Sequence, residues 1–442
     1  MPEATFNFPR GFLWGTATSS HQVEGNNKNN NWYAWEQEEG RIIEGHKSGL
    51  ACDWWGGRWK DDFDRAVETG QNAHRLSIEW SRIQPTPDRW DEDALDHYRQ
   101  IIRGLNERGL YPLVTLHHFT DPLWLTEMGG WENEGVADLF GAYVAKVVEA
   151  LREYVTTWCT INEPNVVMAM GYIIGDFPPG KSDINKAIKV LTNQAHAHAL
   201  AYHKIKEIQP EASVGIALNW RGFNPARSWN PLDRFAAKTL FRVYNDFFPR
   251  MFTDGVAKLL TKKVVIPEAK GTQDYLGINF YTSDTVGFDP RARDEMFAKR
   301  FYPEGAELSP LGAIASLPAE FFKSLNWALQ FKVPIIVTEN GTEDAGDSFR
   351  RRFLVEHIHQ LWHAVNFNYP IKGYFHWSLV DNFEWDRGWV HRFGLWELDV
   401  ETQTRLKRPS ADLYAAICQQ NALSSQMVRE YTPEIFDKLF PG

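Results

Sequence analysis

Only three cysteines occur in 442 residues (Cys52, Cys159 and Cys418), an odd count with no C-x-x-C pair. That excludes a disulfide scaffold or a zinc knuckle as the organising element. Long apolar runs are missing as well: no stretch approaches the ~18 uninterrupted apolar residues that a membrane helix needs. Met1 to Arg10 has neither a basic n-region nor an apolar h-region, so we expect no secretory signal and a cytoplasmic protein. Positive charge is in deficit, with 47 Lys+Arg against 57 Asp+Glu and a formal net charge of −10. This argues against nucleic acid or an anionic membrane as partner, since both need clustered basic residues. The one basic run, Arg350-Arg351-Arg352, falls at an expected helix start and reads as a solvated helix face. No low-complexity tract, linker or residue-level repeat interrupts the chain.

Aromatic residues, by contrast, are abundant: 19 Trp, 15 Tyr and 28 Phe. A large aromatic core accounts for most of them, and 43% hydrophobic residues suffice to bury one. Yet Trp14, Trp32, Trp35, Trp80, Trp124, Trp131, Trp377 and Trp385 stand beside polar or acidic residues at expected strand ends. Aromatic faces next to carboxylates suit sugars, which present apolar C–H faces and polar edges.

A pattern recurs along the chain: a short apolar or β-branched run, a polar ending, then an amphipathic helix. The spacing predicts strands over 12–18, 73–79, 111–117, 155–161, 213–219, 274–280, 334–338 and 371–377. Helices are predicted over 57–70, 91–109, 133–153, 184–209, 232–249, 316–332, 348–366 and 409–420. Gly70 and Gly109 act as stops and Pro409 as a first-turn residue. Eight strands alternating with eight helices imply an α/β protein, a closed (β/α)8 TIM barrel, with 1–442 as a single domain carrying long βα loops. The segments 25–56 and 282–314 exceed simple connectors and are expected to form active-site walls.

In such a barrel, chemistry sits at the C-terminal ends of the strands. The polar residues there are Gln22, Arg75, His117-His118, Asn162-Glu163, Asn219, Asn279, Tyr281, Glu339-Asn340, Trp377, Glu384 and Trp385. Glu163 and Glu339, at the ends of strands 4 and 7, lie across one barrel mouth. Glycoside hydrolysis needs two carboxyls flanking one bond, ~5–5.5 Å apart for retention and ~6.5–9.5 Å for inversion; the strand ends alone permit either. Other titratable clusters fall elsewhere. His196, His198 and His203 share one outer helix, and Glu356, His359 and His363 another, with no H-E-x-x-H. We expect neither a metal nor another cofactor.

Six motifs carry a resemblance. They are F-L-W-G-T-A-T-S-S-H-Q-V-E-G (12–25), R-L-S-I-E-W-S-R-I (75–83), T-I-N-E-P (160–164), I-N-F-Y (278–281), V-T-E-N-G (337–341) and W-S-L-V-D-N-F-E-W (377–385). With these in order, the chain resembles glycoside hydrolase family 1 from Phe8 to about Cys418. The resemblance implies a retaining, exo-acting β-glucosidase, tolerant of β-galactosides and β-fucosides, acting on β-linked glucosides or short oligosaccharides such as cellobiose. It implies Glu163 as acid/base and Glu339 as nucleophile. By the same resemblance Gln22 and His118 hold the O3 and O2–O3 edges of the −1 sugar, and Asn162 meets its 2-OH. Tyr281 contacts the nucleophile, with Arg75 and Asn279 as electrostatic supports. Trp377 is the platform under the sugar, and Glu384 and Trp385 are ligands of O4, O6 and O3.

Two local features qualify this. Many family members carry Trp after the residue matching His118; here Phe119 offers no donor toward O3. The stretch Asp381–Asp386 lacks the small polar and basic residues that hold a 6-phosphate in some members. A phosphate beside Glu384 would cost ~4 kcal/mol at ~4 Å and an effective dielectric of 20, roughly a thousandfold in binding. Arg387, the one nearby base, is expected to point to solvent. A transglycosylase on the same site and a catalytically silent sugar-binding barrel remain open at this point; the presence of both glutamates argues against the second.

Overall fold

The computed structural model describes residues 4–259, 262–292 and 295–440. The first three residues of the Met1–Arg10 stretch, and Arg293 and Asp294 of segment 282–314, lie outside them. Eight parallel strands close a barrel: β1 (Leu13–Ala17), β2 (Ala73–Ser77), β3 (Tyr111–His117), β4 (Thr157–Asn162), β5 (Ser213–Asn219), β6 (Tyr275–Phe280), β7 (Ile335–Asn340) and β8 (Ile371–His376). Neighbours in sequence are neighbours in space, and β8 pairs with β1 through Tyr374 and Trp14. The outer ring is α1 (Trp59–Glu68), α2 (Glu92–Glu107), α3 (Val136–Leu151), α4 (Ile184–Ile208), α5 (Pro231–Phe241), α6 (Pro318–Ala328), α7 (Ser348–Asn366) and α8 (Pro409–Gln420).

Local chemistry sets these helix ends. The side chains of Asp91, Asp183 and Asn230 accept from the first-turn N–H groups of α2, α4 and α5, satisfying donors that a helix leaves open. Gly70 and Gly109 stop α1 and α2 at φ 65° and 72°, where a Cβ would be strained. Side chains that alternate inward, among them Ala73, Leu113, Cys159, Ala217, Tyr275, Ile336 and Phe375, fill the barrel. The opposite faces of the same strands pack against the helices. Among the described residues, no helix is long and apolar enough to cross a membrane.

Four expectations need correction. The helix predicted over 232–249 is interrupted by a π turn at Arg242–Asp246, after which a further helix, Phe247–Asp254, continues. There the Asn165 side-chain amide donates to the Tyr244 carbonyl at 3.1 Å, drawing a helical acceptor outward, and the Asn245 side chain accepts from the N–H of Arg221 and donates to its carbonyl. Arg350 is fully buried rather than solvated. It pairs with Asp347 at 2.6 Å and donates to the carbonyls of Asp344 and Arg392. Segment 25–56 does not line the central pocket among the described residues; it backs it, with Trp32 packed on Trp385 at 4.7 Å. Arg387 does not simply point away: a 3-10 turn, Trp385–Arg387, brings it to the pocket mouth, where it is half-exposed and pairs with Asp386 at 3.2 Å.

Candidate active site

The two glutamates converge because three strand ends carry register shifts. Pairing slips between Ile278 and Asn279, between Val337 and Asn340, and between Cys159 and Asn162. Such irregularities re-aim side chains at barrel rims. Glu339 lies within β7, one residue from its end. Glu163 follows β4 in a left-handed conformation at φ 46°. For a non-glycine residue that costs on the order of 1–3 kcal/mol and persists only where the surroundings impose it. Phe119 and Trp385, also on the pocket wall, share this conformation at φ 68° and 51°.

Beneath the carboxyls runs one hydrogen-bonded layer. Arg75, fully buried, donates from Nη1 to Glu339 Oε1 at 2.5 Å and from Nη2 to Asn162 Oδ1 at 2.6 Å. Tyr281 donates its hydroxyl to Glu339 Oε2 at 2.6 Å. Asn279 donates to Glu163 Oε1 at 2.8 Å and to Asn162 Oδ1 at 3.1 Å. Asn219 donates to the same Glu163 oxygen at 2.9 Å. One carboxyl therefore has a cation and a phenol, and the other only neutral amides.

This difference sets their protonation. Burial pushes Glu163 up to about 8, with the charge of Glu339 as the second cause and the two asparagine amides opposing. Burial also raises Glu339, but Arg75 first and then Tyr281 pull it back. Glu163 is thus the group that holds a proton near neutrality while Glu339 is ionised, the division an acid and a nucleophile require. Burial, more than charge repulsion, is what raises Glu163. Removing Arg75 should expose the other half of the balance. In Arg75→Met, Glu339 loses its cation and becomes harder to ionise, so the acid limb of the kcat/KM profile should move to higher pH. Activity at the optimum should fall by about a hundredfold or more, given the cost of an unpaired buried charge. An unmoved acid limb would contradict this assignment.

The same layer fixes a tautomer. Arginine can only donate, so the Asn162 oxygen must face Arg75 and its amide nitrogen must donate to His118 Nε2, at 3.0 Å. Burial holds His118 well below its ordinary value, so it is neutral. Its proton therefore sits on Nδ1, which is buried and has no partner among the described residues.

The pocket, of about 320 Å³, is lined by His118, Glu163, Tyr281, Glu339, Trp377, Glu384 and Trp385. The other four residues singled out from sequence, Gln22, Arg75, Asn162 and Asn279, lie fully buried beneath or behind this wall. Gln22 accepts from Ser19 at 2.6 Å and donates to Glu384 Oε2 at 3.1 Å and to the Phe383 carbonyl. Burial, then the charge of Glu339, raises Glu384 to about 8. Phe119 packs edge-on against Trp385 at 5.0 Å, filling with hydrocarbon the place where a donor was missing. Two contributors were not singled out as site residues. Asn219 appeared only as one more polar strand end. Tyr244, whose hydroxyl donates to Asn219 Oδ1 at 3.0 Å, sits in the π turn, which periodicity does not reveal.

The outer histidines go elsewhere. His198 is buried between Thr160 and the Thr272 carbonyl, His196 pairs with Glu268 at 2.9 Å, and His359 packs on His363. Among the described residues no group of three or more His, Cys, Asp or Glu is arranged to hold a metal ion.

Similarity to known proteins runs over the same ground. The chain is 33% identical to β-glucosidase A of Thermotoga maritima, over 94% of this chain and 98% of that protein. It is 29% identical to a β-galactosidase of Saccharolobus solfataricus, over 96% and 97%. Among solved structures, a β-glycosidase from Pyrococcus horikoshii matches with a TM-score of 0.90 at 35% identity, covering 97% of this chain and 98% of that one. A T. maritima β-glucosidase in complex with glucoimidazole matches at 0.88 and 32%, covering 95% and 100%. A family model, Glycosyl hydrolase family 1, matches residues 4–423, a span that includes all eight strands and both strand-end glutamates; the chain belongs to glycosyl hydrolase family 1.

Proposed function

We propose that the whole chain acts as one (β/α)8 catalytic domain, a retaining, exo-acting β-glucosidase that also accepts β-galactosides and β-fucosides. The observation that carries this is the unequal pair: Glu339 held by Arg75 and Tyr281, and Glu163 raised to about 8 among neutral amides. Glu339 attacks the anomeric carbon while Glu163 gives its proton to the leaving oxygen, forming a glycosyl-enzyme ester. With Glu339 esterified its charge is gone, and Glu163 becomes more acidic; burial remains, so the fall is partial. Glu163 then takes a proton from water, which attacks the same carbon and releases the sugar with net retention. No cofactor enters these steps.

The pocket supports the remaining roles. By the family resemblance, Gln22, His118 and Asn162 receive O2 and O3. Trp377 is the platform, and Glu384 and Trp385 meet O4 and O6. Tyr281, Arg75 and Asn279 hold the nucleophile and the acid. The substrates are β-linked glucosides, short oligosaccharides such as cellobiose among them. Buried free thiols at Cys52, Cys159 and Cys418 suit a reducing compartment, in keeping with a cytoplasmic enzyme.

A panel of nitrophenyl β-glycosides tests the specificity. The Glu384 carboxyl can rotate to an axial or equatorial O4, so the galactoside kcat/KM should lie within about a hundredfold of the glucoside value, under ~3 kcal/mol. Discrimination against the 6-phosphoglucoside depends on pH. Below about 8 Glu384 is largely protonated, and Arg387 further offsets the repulsion. Above it, both groups are anionic. The ratio of glucoside to 6-phosphoglucoside should therefore be smallest near neutral pH and grow as pH passes 8. A ratio that stays constant or shrinks as pH passes 8 would overturn this role of Glu384.

A further inference from the structure

Away from the central pocket, with which it shares no lining residue, a groove of about 550 Å³ lies between the π turn Arg242–Asp246 and two antiparallel strands, Val256–Leu259 and Lys262–Val265. Five cations line it: Lys238, Arg242, Arg250, Lys258 and Lys263. Among the described residues the lining holds one acid, Asp246. That acid is engaged on both oxygens, by Arg250 at 3.5 Å and by the Trp327 ring N–H at 3.0 Å. Arg250 donates in turn to the Gln330 side chain at 2.8 Å. The other four cations are exposed, and only Arg250 of the five is matched by an acid among the described residues. The floor beneath them is hydrocarbon, formed by the buried Phe247 and Ala257.

Such an arrangement is costly for a bare surface. Lys258 and Lys263 stand directly opposite each other across the strand pair, and like charges so placed repel. The chain has 57 acidic against 47 basic residues, yet the acids closest in sequence to the strand pair, Asp254 and Glu268, do not line the groove. A concavity of this size suits a small molecule, and its field attracts one with several negative charges. A neutral sugar would find no unengaged carboxylate to accept from its hydroxyls. A singly charged anion would leave most of the positive charge unmatched. Phosphate oxygens meet lysine and arginine N–H groups in charge-assisted hydrogen bonds, roughly twice as strong as neutral ones.

We propose that this groove is a binding site for a small polyphosphate, held by Lys238, Arg242, Lys258 and Lys263. The inference goes beyond the reading of the central pocket and does not depend on it.

Calorimetry with inorganic tripolyphosphate tests it, without magnesium and at about 50 mM salt, where screening is weak. One molecule should bind per chain with a Kd below about 1 mM, and orthophosphate should bind at least about tenfold more weakly. Lys238→Glu and Lys263→Glu should each weaken tripolyphosphate binding by about tenfold or more. The carboxylate introduced by Lys263→Glu faces Lys258, so the strand pair gains an attraction and should keep its fold. Lys204→Glu, on α4 and outside the groove, changes the net charge equally and should bind as the unaltered protein does. A nucleoside triphosphate bound more tightly than tripolyphosphate would identify a nucleotide's phosphate tail as the ligand, and equal affinity would identify polyphosphate itself. Absence of tripolyphosphate binding would overturn the proposal. So would binding that both groove variants leave intact, or an equal loss in Lys204→Glu.

Discussion

Glu339→Gly is expected to lower kcat on nitrophenyl β-glucoside by about 10⁴- to 10⁶-fold, the range for loss of a covalent nucleophile. Without the carboxylate no glycosyl-enzyme ester can form, and water on that face has no base. What remains is informative. Arg75 Nη1 and the Tyr281 hydroxyl, which held the two carboxylate oxygens, now face a vacant space with one uncompensated positive charge. A small anion should enter it. Added azide is expected to restore turnover and to attack from the side Glu339 occupied, giving the α-glycosyl azide. Glu339→Gln keeps the shape of the side chain and guards against loss of folding; it should be as inactive and gain little from azide. Activity in Glu339→Gly above about a thousandth of the original without azide, or a rescued product of β configuration, would remove Glu339 from its role.

Glu163→Ala should divide substrates by leaving group. Dinitrophenyl glucoside needs no proton to depart, so formation of the glycosyl-enzyme should slow less than about tenfold. Alkyl glucosides need the proton and should lose about 10³- to 10⁴-fold, near the upper range for general acid catalysis. The pH profile gives a second readout. In the unaltered enzyme activity requires Glu163 protonated, so it is lost as pH rises through about 8. It also requires Glu339 ionised, so it is lost as pH falls through the lower value that Arg75 maintains. Glu163→Ala should flatten the alkaline limb and leave the acid limb. Azide here meets an intact glycosyl-enzyme and should give the β-glycosyl azide, opposite to the nucleophile variant. Equal losses on both kinds of substrate would mean that Glu163 is not the acid.

Much of this could be read from the chain because the information is local. The alternation of apolar runs with amphipathic helices marks the barrel, and Gly70 and Gly109 mark helix ends through a backbone conformation only glycine takes easily. Glu163 and Glu339 stand out because each ends an apolar strand. What could not be read is set by distant partners. Asn219 is one asparagine among several strand ends until the fold brings it to 2.9 Å from Glu163. Tyr244 reads as an ordinary helical residue, since Asn165, which takes its carbonyl, lies outside the helix. Arg350 reads as solvated because its partners Asp344 and Arg392 come from a turn and a distant loop. The leading cause of the raised Glu163 is also of this kind. A neighbouring charge can be guessed from two glutamates, whereas burial depends on the whole mouth.

The central claim is that Glu339 forms a covalent bond to the sugar and that water later enters from the same side as the departed group. It requires the two carboxyls ~5–5.5 Å apart, a geometry that leaves no room for an inverting water. Proton NMR of nitrophenyl β-glucoside hydrolysis, recorded before mutarotation, tests it most directly. The account requires β-glucose as the first-formed anomer, with α-glucose growing in only at the rate of mutarotation. α-Glucose appearing first would contradict it.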